Sequence, residues 1–386
     1  MFRFPTRLSS WAAVPLALLA AACGASPSSP APPAETAPVV ALPPPAAPEV
    51  DPPAPEPSAA PTGPAPTAET SGSVVLALQD GLPGTWTGAH GNHHAPIRDV
   101  WGTPDLVLAV AGGEVLRSTD RGLTWRLATL PKGVQALSVW GASSDEIWVG
   151  GQDLILRSTD RGVTWKTTPV PMNAYFSAFW ADDKDVYAVG SDGVLVHSSD
   201  RGVTWERQAA DLGMTWLYGI WGNGRDVWAV GAGPRRPGHW VDTPGLAHTN
   251  DRGKTWKLLP IQSGALRGIC GTGDGVMHAI DAGGALHQSS DRGKTWTNVR
   301  SFGSVELMAL ECRGKSEIFV GGRNRTFQRS EDGGKTWADE LAAAHMWTKT
   351  AFSTVSTIVA LPSGEAFVGG EGVFEPRVTG TLFRRR

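Results

Sequence analysis

An all-β fold, a seven-bladed β-propeller, is predicted by three observations. An eight-residue segment recurs six times: STDRGLTW from Ser118, STDRGVTW from Ser158, SSDRGVTW from Ser198, TNDRGKTW from Thr249, SSDRGKTW from Ser289 and SEDGGKTW from Ser330. Its aspartates, Asp120, Asp160, Asp200, Asp251, Asp291 and Asp332, are spaced by 40, 40, 51, 40 and 41 residues, and about four short apolar-alternating segments fill each period. A period near 40 with four strands is the signature of a propeller blade. The third observation is complementarity, because each end of the repeat region holds part of one further blade.

Residues 1–23 precede all of this. Arg3 and Arg7 stand before an apolar run from Trp11 to Ala22, and the small residues Ala20, Ala21 and Ala22 lead into Cys23. That order is a charged region, a short apolar region and a cleavage site, and the run is too short to span a bilayer. With Cys at its end it resembles a bacterial lipoprotein signal, although Ala20 stands where Leu is commoner. The resemblance implies that Cys23 becomes a lipidated N-terminus. Residues 24–73 are almost wholly Pro, Ala, Ser, Thr and acidic residues, with Glu35, Glu49, Asp51, Glu56 and Glu69 and no Lys or Arg. Such a composition cannot bury a core and reads as a disordered, extended tether.

The propeller is expected over residues 74–386. Strand A of successive blades ends at Trp101, Trp140, Trp180 and Trp221; strand B follows as LAVAG, IWVGG, VYAVG and VWAVG; strand C runs into the repeated turn, and strand D starts at the turn's Trp. Six such units run from Pro96 to about Leu341. A seventh has strand A at Val355–Leu361, strand B at Ala366–Gly370 and strand C at Gly380–Arg384, and then the chain ends. Its fourth strand is expected near Trp86, which lies 15 residues before Trp101 just as Trp125 lies 15 before Trp140. Ring closure by that N-terminal strand would pair the two edges an open array exposes.

The turn itself is explained by local chemistry. Its Asp accepts backbone N–H bonds, its Gly supplies a positive φ, and its Ser or Thr hydroxyl closes a further bond before Trp covers the hairpin. The pattern resembles the Asp-box, S-x-D-x-G-x-T-W, of sialidase-like propellers. That resemblance implies that the six aspartates are structural and lie away from the ligand face. It extends to the photosystem II assembly-factor group of Asp-box propellers, which act by binding a partner chain.

Cys270 and Cys312 stand at the strand-A position that Trp fills in blades one to four. A disulfide across the interface of blades five and six, or two small buried hydrophobes, would each satisfy the pattern.

Candidate ligand residues emerge when the repeat pattern is subtracted. Of 17 tryptophans, three fit no blade position: Trp216, Trp240 and Trp347. Each is expected in a connection on one rim. Trp240 lies in the insertion that lengthens blade four, together with Arg235, Arg236 and His239. Aromatics beside Arg and His suit stacking against peptide or sugar rings. Three residues before the strand-A landmark the blades vary, as Arg98, Leu137, Ser177, Tyr218, Arg267 and Ala309, and a variable position beside a fixed one is where a repeat carries function. His90, His93 and His94 read as a polar surface loop, since no carboxylate or Cys completes a metal shell within the run.

Arg98, Arg267 and Tyr218 have a superficial likeness to a sialidase site, but no F-R-I-P motif or third Arg accompanies them. Hydrolase, P-loop and dinucleotide motifs are missing from the sequence. Once the leader's two arginines and the tether's five carboxylates are set aside, 32 basic and 32 acidic residues remain, which argues against nucleic acid as a partner. The expectation is therefore a monomeric, non-catalytic binding or assembly scaffold, lipid-anchored at the outer membrane or cell surface, with an envelope protein or glycan as ligand and no cofactor or metal. The alternative is a glycoside hydrolase of the sialidase-like clan.

Overall fold

Short runs with apolar alternation, punctuated by glycine, form strands throughout. The computed structural model describes residues 74–78, 86–91, 95–170, 172–208, 212–233, 242–343, 352–374 and 377–385; at 74–78, 86–91, 342–343, 352, 372–374 and 377–381 the backbone alone is described. Cys23, Arg235, Arg236, His239, Trp240, Trp347, His93 and His94 lie outside the described residues.

The chain forms seven antiparallel four-stranded blades. The innermost strands are Ile97–Thr103, Ala136–Ser143, Phe176–Asp182, Trp216–Asn223, Leu266–Gly271, Leu307–Arg313 and Phe352–Ala360. Five blades are separate sheets, and blades seven and one share one nine-stranded sheet. Strand B of blade one, Leu106–Ala111, is buried at every position, which is why it reads as a continuous apolar run rather than an alternating one. Glu340–Ala343 adds one helical turn.

The ring closes as expected, with an addition. Trp86–Gly91 is the outer strand of blade seven, paired to Arg377–Arg385 with Trp86 opposite Arg385 and Ala89 opposite Leu382. A further strand, Val74–Leu78, then pairs on one side with Trp86–Gly91 and on the other with Thr124–Leu127, the outer strand of blade one. Two sheet edges are satisfied by one strap. His90 belongs to this seam, opposite Ala77, so its backbone is strand and not the surface loop expected from its sequence. Glu371 and Arg377 fall in the long hairpin of strands B and C of blade seven.

Each Asp-box is a closed hydrogen-bond unit. In the first, Ser118 Oγ donates to Asp120 Oδ1 at 2.7 Å and accepts from Gly122 N at 2.8 Å, while Thr124 gives Asp120 its backbone N–H at 2.9 Å and its hydroxyl at 2.6 Å. The Thr hydroxyl and then the Thr backbone N–H hold Asp251, Asp291 and Asp332 down at about 2. Two consecutive residues adopt positive φ, as in Arg121 at 59° and Gly122 at 77°; in the sixth box Gly333 takes the Arg place. The left-handed conformation of the five box arginines was not read from sequence, because only Gly advertises it.

Core packing lies between blades. Trp101, Leu106 and Leu108 of blade one cluster with Val139, Ile147, Val149 and Leu156 of blade two, and the same arrangement recurs around the ring. At strand A, the landmark Trp of one blade covers a glycine of the next: a Cβ on Gly141 would lie 2.5 Å from Trp101 Cζ2, and one on Gly222 would lie 2.6 Å from Trp180 Cζ2. The box glycines repeat the device on strand B, where Gly202 of blade three meets the ring of Trp148 in blade two.

This close approach separates two kinds of glycine. Gly202 has φ 78° and a ring against it, whereas Gly224 has φ 62° and no neighbour within 4 Å. Gly202→Ala is expected to cost about 2–4 kcal/mol from backbone strain plus overpacking, and Gly224→Ala only about 1 kcal/mol, read by denaturant unfolding. Equal losses would mean that the ring contact is not part of the inter-blade seam.

Candidate functional site

The antiparallel order puts the A–B and C–D turns of every blade at one end of the propeller and the D–A and B–C connections at the other. Arg161 of the second box donates to Asp105 in the A–B turn of blade one at 2.8 Å, so the boxes and these turns share an end. The opposite end is free of the repeated turn chemistry.

On that end a row of stacked side chains crosses the blades. Tyr175, 43% exposed just before strand A of blade three, stacks on Trp216 with ring centroids 6.4 Å apart and planes 13° apart. Trp216 stacks on Tyr218 at 5.8 Å and 18°. The guanidinium of Arg267 in blade five then lies 4.1 Å from the Tyr218 ring centroid, a cation–π contact. Arg267 also pairs with Glu306 at 2.7 Å, and Glu306 pairs with Arg323 at 2.8 Å. Burial pushes Glu306 up, but the bond from Arg323 and the charge of Arg267 outweigh it and hold this carboxyl below its ordinary range. The row therefore runs from blade three to blade six.

Trp216 is half-buried and opens strand A of blade four, so it is not the loop residue that its place outside the repeat suggested. Its ring is nonetheless held at the edge by Tyr175 and Tyr218. Sequence reading paired Tyr218 with Arg267 but missed Tyr175 and Arg323. Tyr175 is one of three tyrosines in the chain and directly precedes a strand A; that position was the available signal. Arg323 follows strand B of blade six and carried none.

Beneath the row lies the central channel, a cavity of about 600 Å³. One residue from each blade occupies the same register on its wall: Arg98, Leu137, Ser177, Tyr218, Arg267, Met308 and Ser356. Met308, not Ala309, is the blade-six member. The register of Leu307 against Gly322 and of Glu311 against Phe319 shows that Glu311 takes the landmark position and Cys312 lies one residue beyond it. Counting back from a cysteine in place of a tryptophan displaced that blade by one residue.

Two carboxyls join blades across this wall. Asp99 accepts from Val139 N of blade two at 2.8 Å and from the Thr357 hydroxyl of blade seven at 3.2 Å. Burial pushes it up to about 7 despite those bonds. Glu311 accepts from the backbone N–H of Ala360 in blade seven, and burial pushes it up to about 8. Both carboxyls serve the ring seams.

Cys270 and Cys312 are joined as a disulfide, with Cα atoms 5.8 Å apart. Their registers differ, since Cys270 holds the landmark position opposite His278 while Cys312 holds the position of the next blade's glycine. The bond therefore stands where Trp221 covers Gly271 one blade earlier. His278 is buried beside it, and desolvation lowers it to about 4.

Comparison with known proteins agrees with this architecture. The family model for the photosynthesis system II assembly factor YCF48 matches residues 178–303, from strand A of blade three to the end of blade five. Among solved structures, YCF48 from Cyanidioschyzon merolae is similar at a TM-score of 0.59 and 17% identity, over 78% of this chain and 98% of that one. YCF48 bound to D1 peptide is similar at 0.61 and 18%, over 82% and 99%. The GH74 xyloglucanase from Xanthomonas campestris is similar at 0.57 and 14%, over 77% of this chain and 55% of that one. A search of curated proteins finds no match. The chain is a seven-bladed propeller of the Asp-box type. In fold it is similar to YCF48 and to about half the length of the xyloglucanase.

The channel carboxyls make a pH prediction. The pKa of Glu311 rises from 4.5 to about 8 on folding, so its contribution is complete below pH 4.5 and is lost as pH climbs through about 8. Glu311→Gln keeps an acceptor for Ala360 N–H without the charge. The variant is expected to lose less melting temperature than the wild type over that range. Parallel pH profiles would show that Glu311 is ionised freely in the native state.

Proposed function

We propose that this protein is a binding or assembly scaffold that holds an extended protein segment across the channel mouth. The observation that carries the reading is the row Tyr175–Trp216–Tyr218–Arg267, with the Glu306–Arg323 pair at its end. Flat aromatic faces offer contact area at little entropic cost, and an Arg fixed by a ring and a carboxylate is already oriented to bond a backbone carbonyl or an acidic side chain. That a structure of YCF48 exists with a peptide bound supports a peptide over a glycan for a propeller of this shape. The scaffold is tethered through lipidated Cys23 at the outer membrane or cell surface and acts there as a monomer on an envelope protein.

A glycoside hydrolase is the competing reading, favoured by Tyr218, Glu306, Arg267, Arg98 and Arg323 lying at one end of the propeller. The geometry is less suited to that chemistry. Arg267 covers the Tyr218 ring, and Glu306 is held ionised between two guanidinium groups, so it is engaged where a sialidase needs its Tyr–Glu pair free.

Trp216→Ala and Arg267→Ala are expected to weaken capture of the partner from an envelope extract by about 2 kcal/mol or more each, roughly thirtyfold, while the native circular dichroism persists. Undiminished capture by both variants overturns the reading, and loss of sialoside hydrolysis in their place substitutes the enzyme. Separately, Cys23→Ser is expected to move the protein from the membrane to the soluble fraction, and continued membrane association would remove the anchor from the proposal.

A further inference from the structure

We propose that Cys270, His278 and Cys312, once their disulfide is reduced, form a binding site for a divalent zinc ion at the seam of blades five and six. The two sulfurs and the imidazole nitrogen lie within 4.8 Å of one another. Cys312 Sγ is 3.9 Å from His278 Nδ1. Two thiolates on one tetrahedral zinc sit about 3.8 Å apart, given Zn–S bonds of about 2.3 Å, and Cα atoms 5.8 Å apart accommodate that opening with small side-chain rotations. Two thiolates and an imidazole are the borderline-soft donor set that zinc prefers over magnesium or calcium.

A side-chain amide faces the far side of the imidazole. The Gln288 amide nitrogen lies 3.1 Å from His278 Nε2. Rotating that amide by 180° puts its oxygen in the nitrogen's place to accept Nε2–H, which fixes the tautomer and leaves the Nδ1 lone pair facing the sulfurs. Cys312 is only partly buried and provides access, whereas Cys270 and His278 are closed off behind it.

The repeat makes these residues unexpected. At the equivalent seam of blades four and five, Trp221 stacks on Trp228 of its own strand B and covers Gly271 of the next blade. Here all three places change together: Cys270 for the first Trp, His278 for the second and Cys312 for the glycine. A disulfide alone accounts for the two cysteines but gives no reason for a buried imidazole between them and Gln288.

The chemistry balances. A dithiol reductant transfers two electrons to the Cys270–Cys312 bond, becomes a disulfide itself, and leaves one proton on each cysteine. Zinc then displaces both thiol protons, takes the neutral imidazole as third ligand and water as fourth, and the assembled centre carries no net charge. Disulfide and metal are exclusive occupants of the same seam.

The test uses the full chain carrying Cys23→Ser, so that only these two thiols remain, reduced with a phosphine and titrated with Co²⁺. One equivalent is expected to give thiolate-to-cobalt charge-transfer absorption that Zn²⁺ abolishes; the oxidised protein should give none. Histidines elsewhere bind cobalt without that band. His278→Gln is expected to weaken cobalt binding at least about tenfold, and Zn²⁺ should slow alkylation of both thiols in the unsubstituted seam, a readout that needs no variant at the site. Reduced protein lacking the thiolate band, equal affinity after His278→Gln, or alkylation indifferent to zinc would each overturn the site.

Discussion

Everything in this propeller depends on how closely one blade's strand A can approach the next. The hub is narrow, and a ring from one blade reaches the backbone of its neighbour most closely where the neighbour has no Cβ. Trp101 over Gly141, Trp180 over Gly222 and Trp221 over Gly271 meet that constraint, and Trp140 shares a cluster with the small Ala181 in blade three. The two remaining seams before the last blade use other bonds at the same register. Cys270 is bonded to Cys312, and Glu311 accepts from Ala360 N–H. Packing, covalency and hydrogen bonding are thus interchangeable answers to one steric problem, and only the packed answer repeats.

The outer rim has a different problem, because blades diverge away from the hub and leave strand edges apart. The glycines of the first five Asp-boxes bring their C–D hairpins back against the preceding blade, as Gly122 does on Phe367 and Gly202 on Trp148. The closing seam adds Val74–Leu78 between two outer strands. The strap thereby joins the outer strands of both blades at the closure.

The Asp-boxes and the aromatic row occupy opposite ends for a topological reason. Every Asp-box lies on a C–D turn, and antiparallel order places all D–A and B–C connections at the far end. Residues there are released from the repeat, and that is where Tyr175, Trp216, Arg267, Glu306 and Arg323 are found.

The class, the blade count and the closing strand were legible in the sequence, because a turn that needs Asp, Gly and Trp at fixed offsets repeats at a fixed period, and Trp86 keeps that period beyond it. Arg98, Tyr218 and Arg267 were legible as a variable position beside a constant one. The stack that joins Tyr175, Trp216, Tyr218 and Arg267 was not, since its members come from three blades and meet only when the ring closes. Register in blade six was misread for a related reason: a cysteine in a tryptophan's neighbourhood looks like its substitute, and only the pairing of Glu311 with Phe319 reveals the offset. Local chemistry writes turns and periods into sequence, whereas contacts between distant strands depend on curvature and register, and those were decided by the packing of the whole ring.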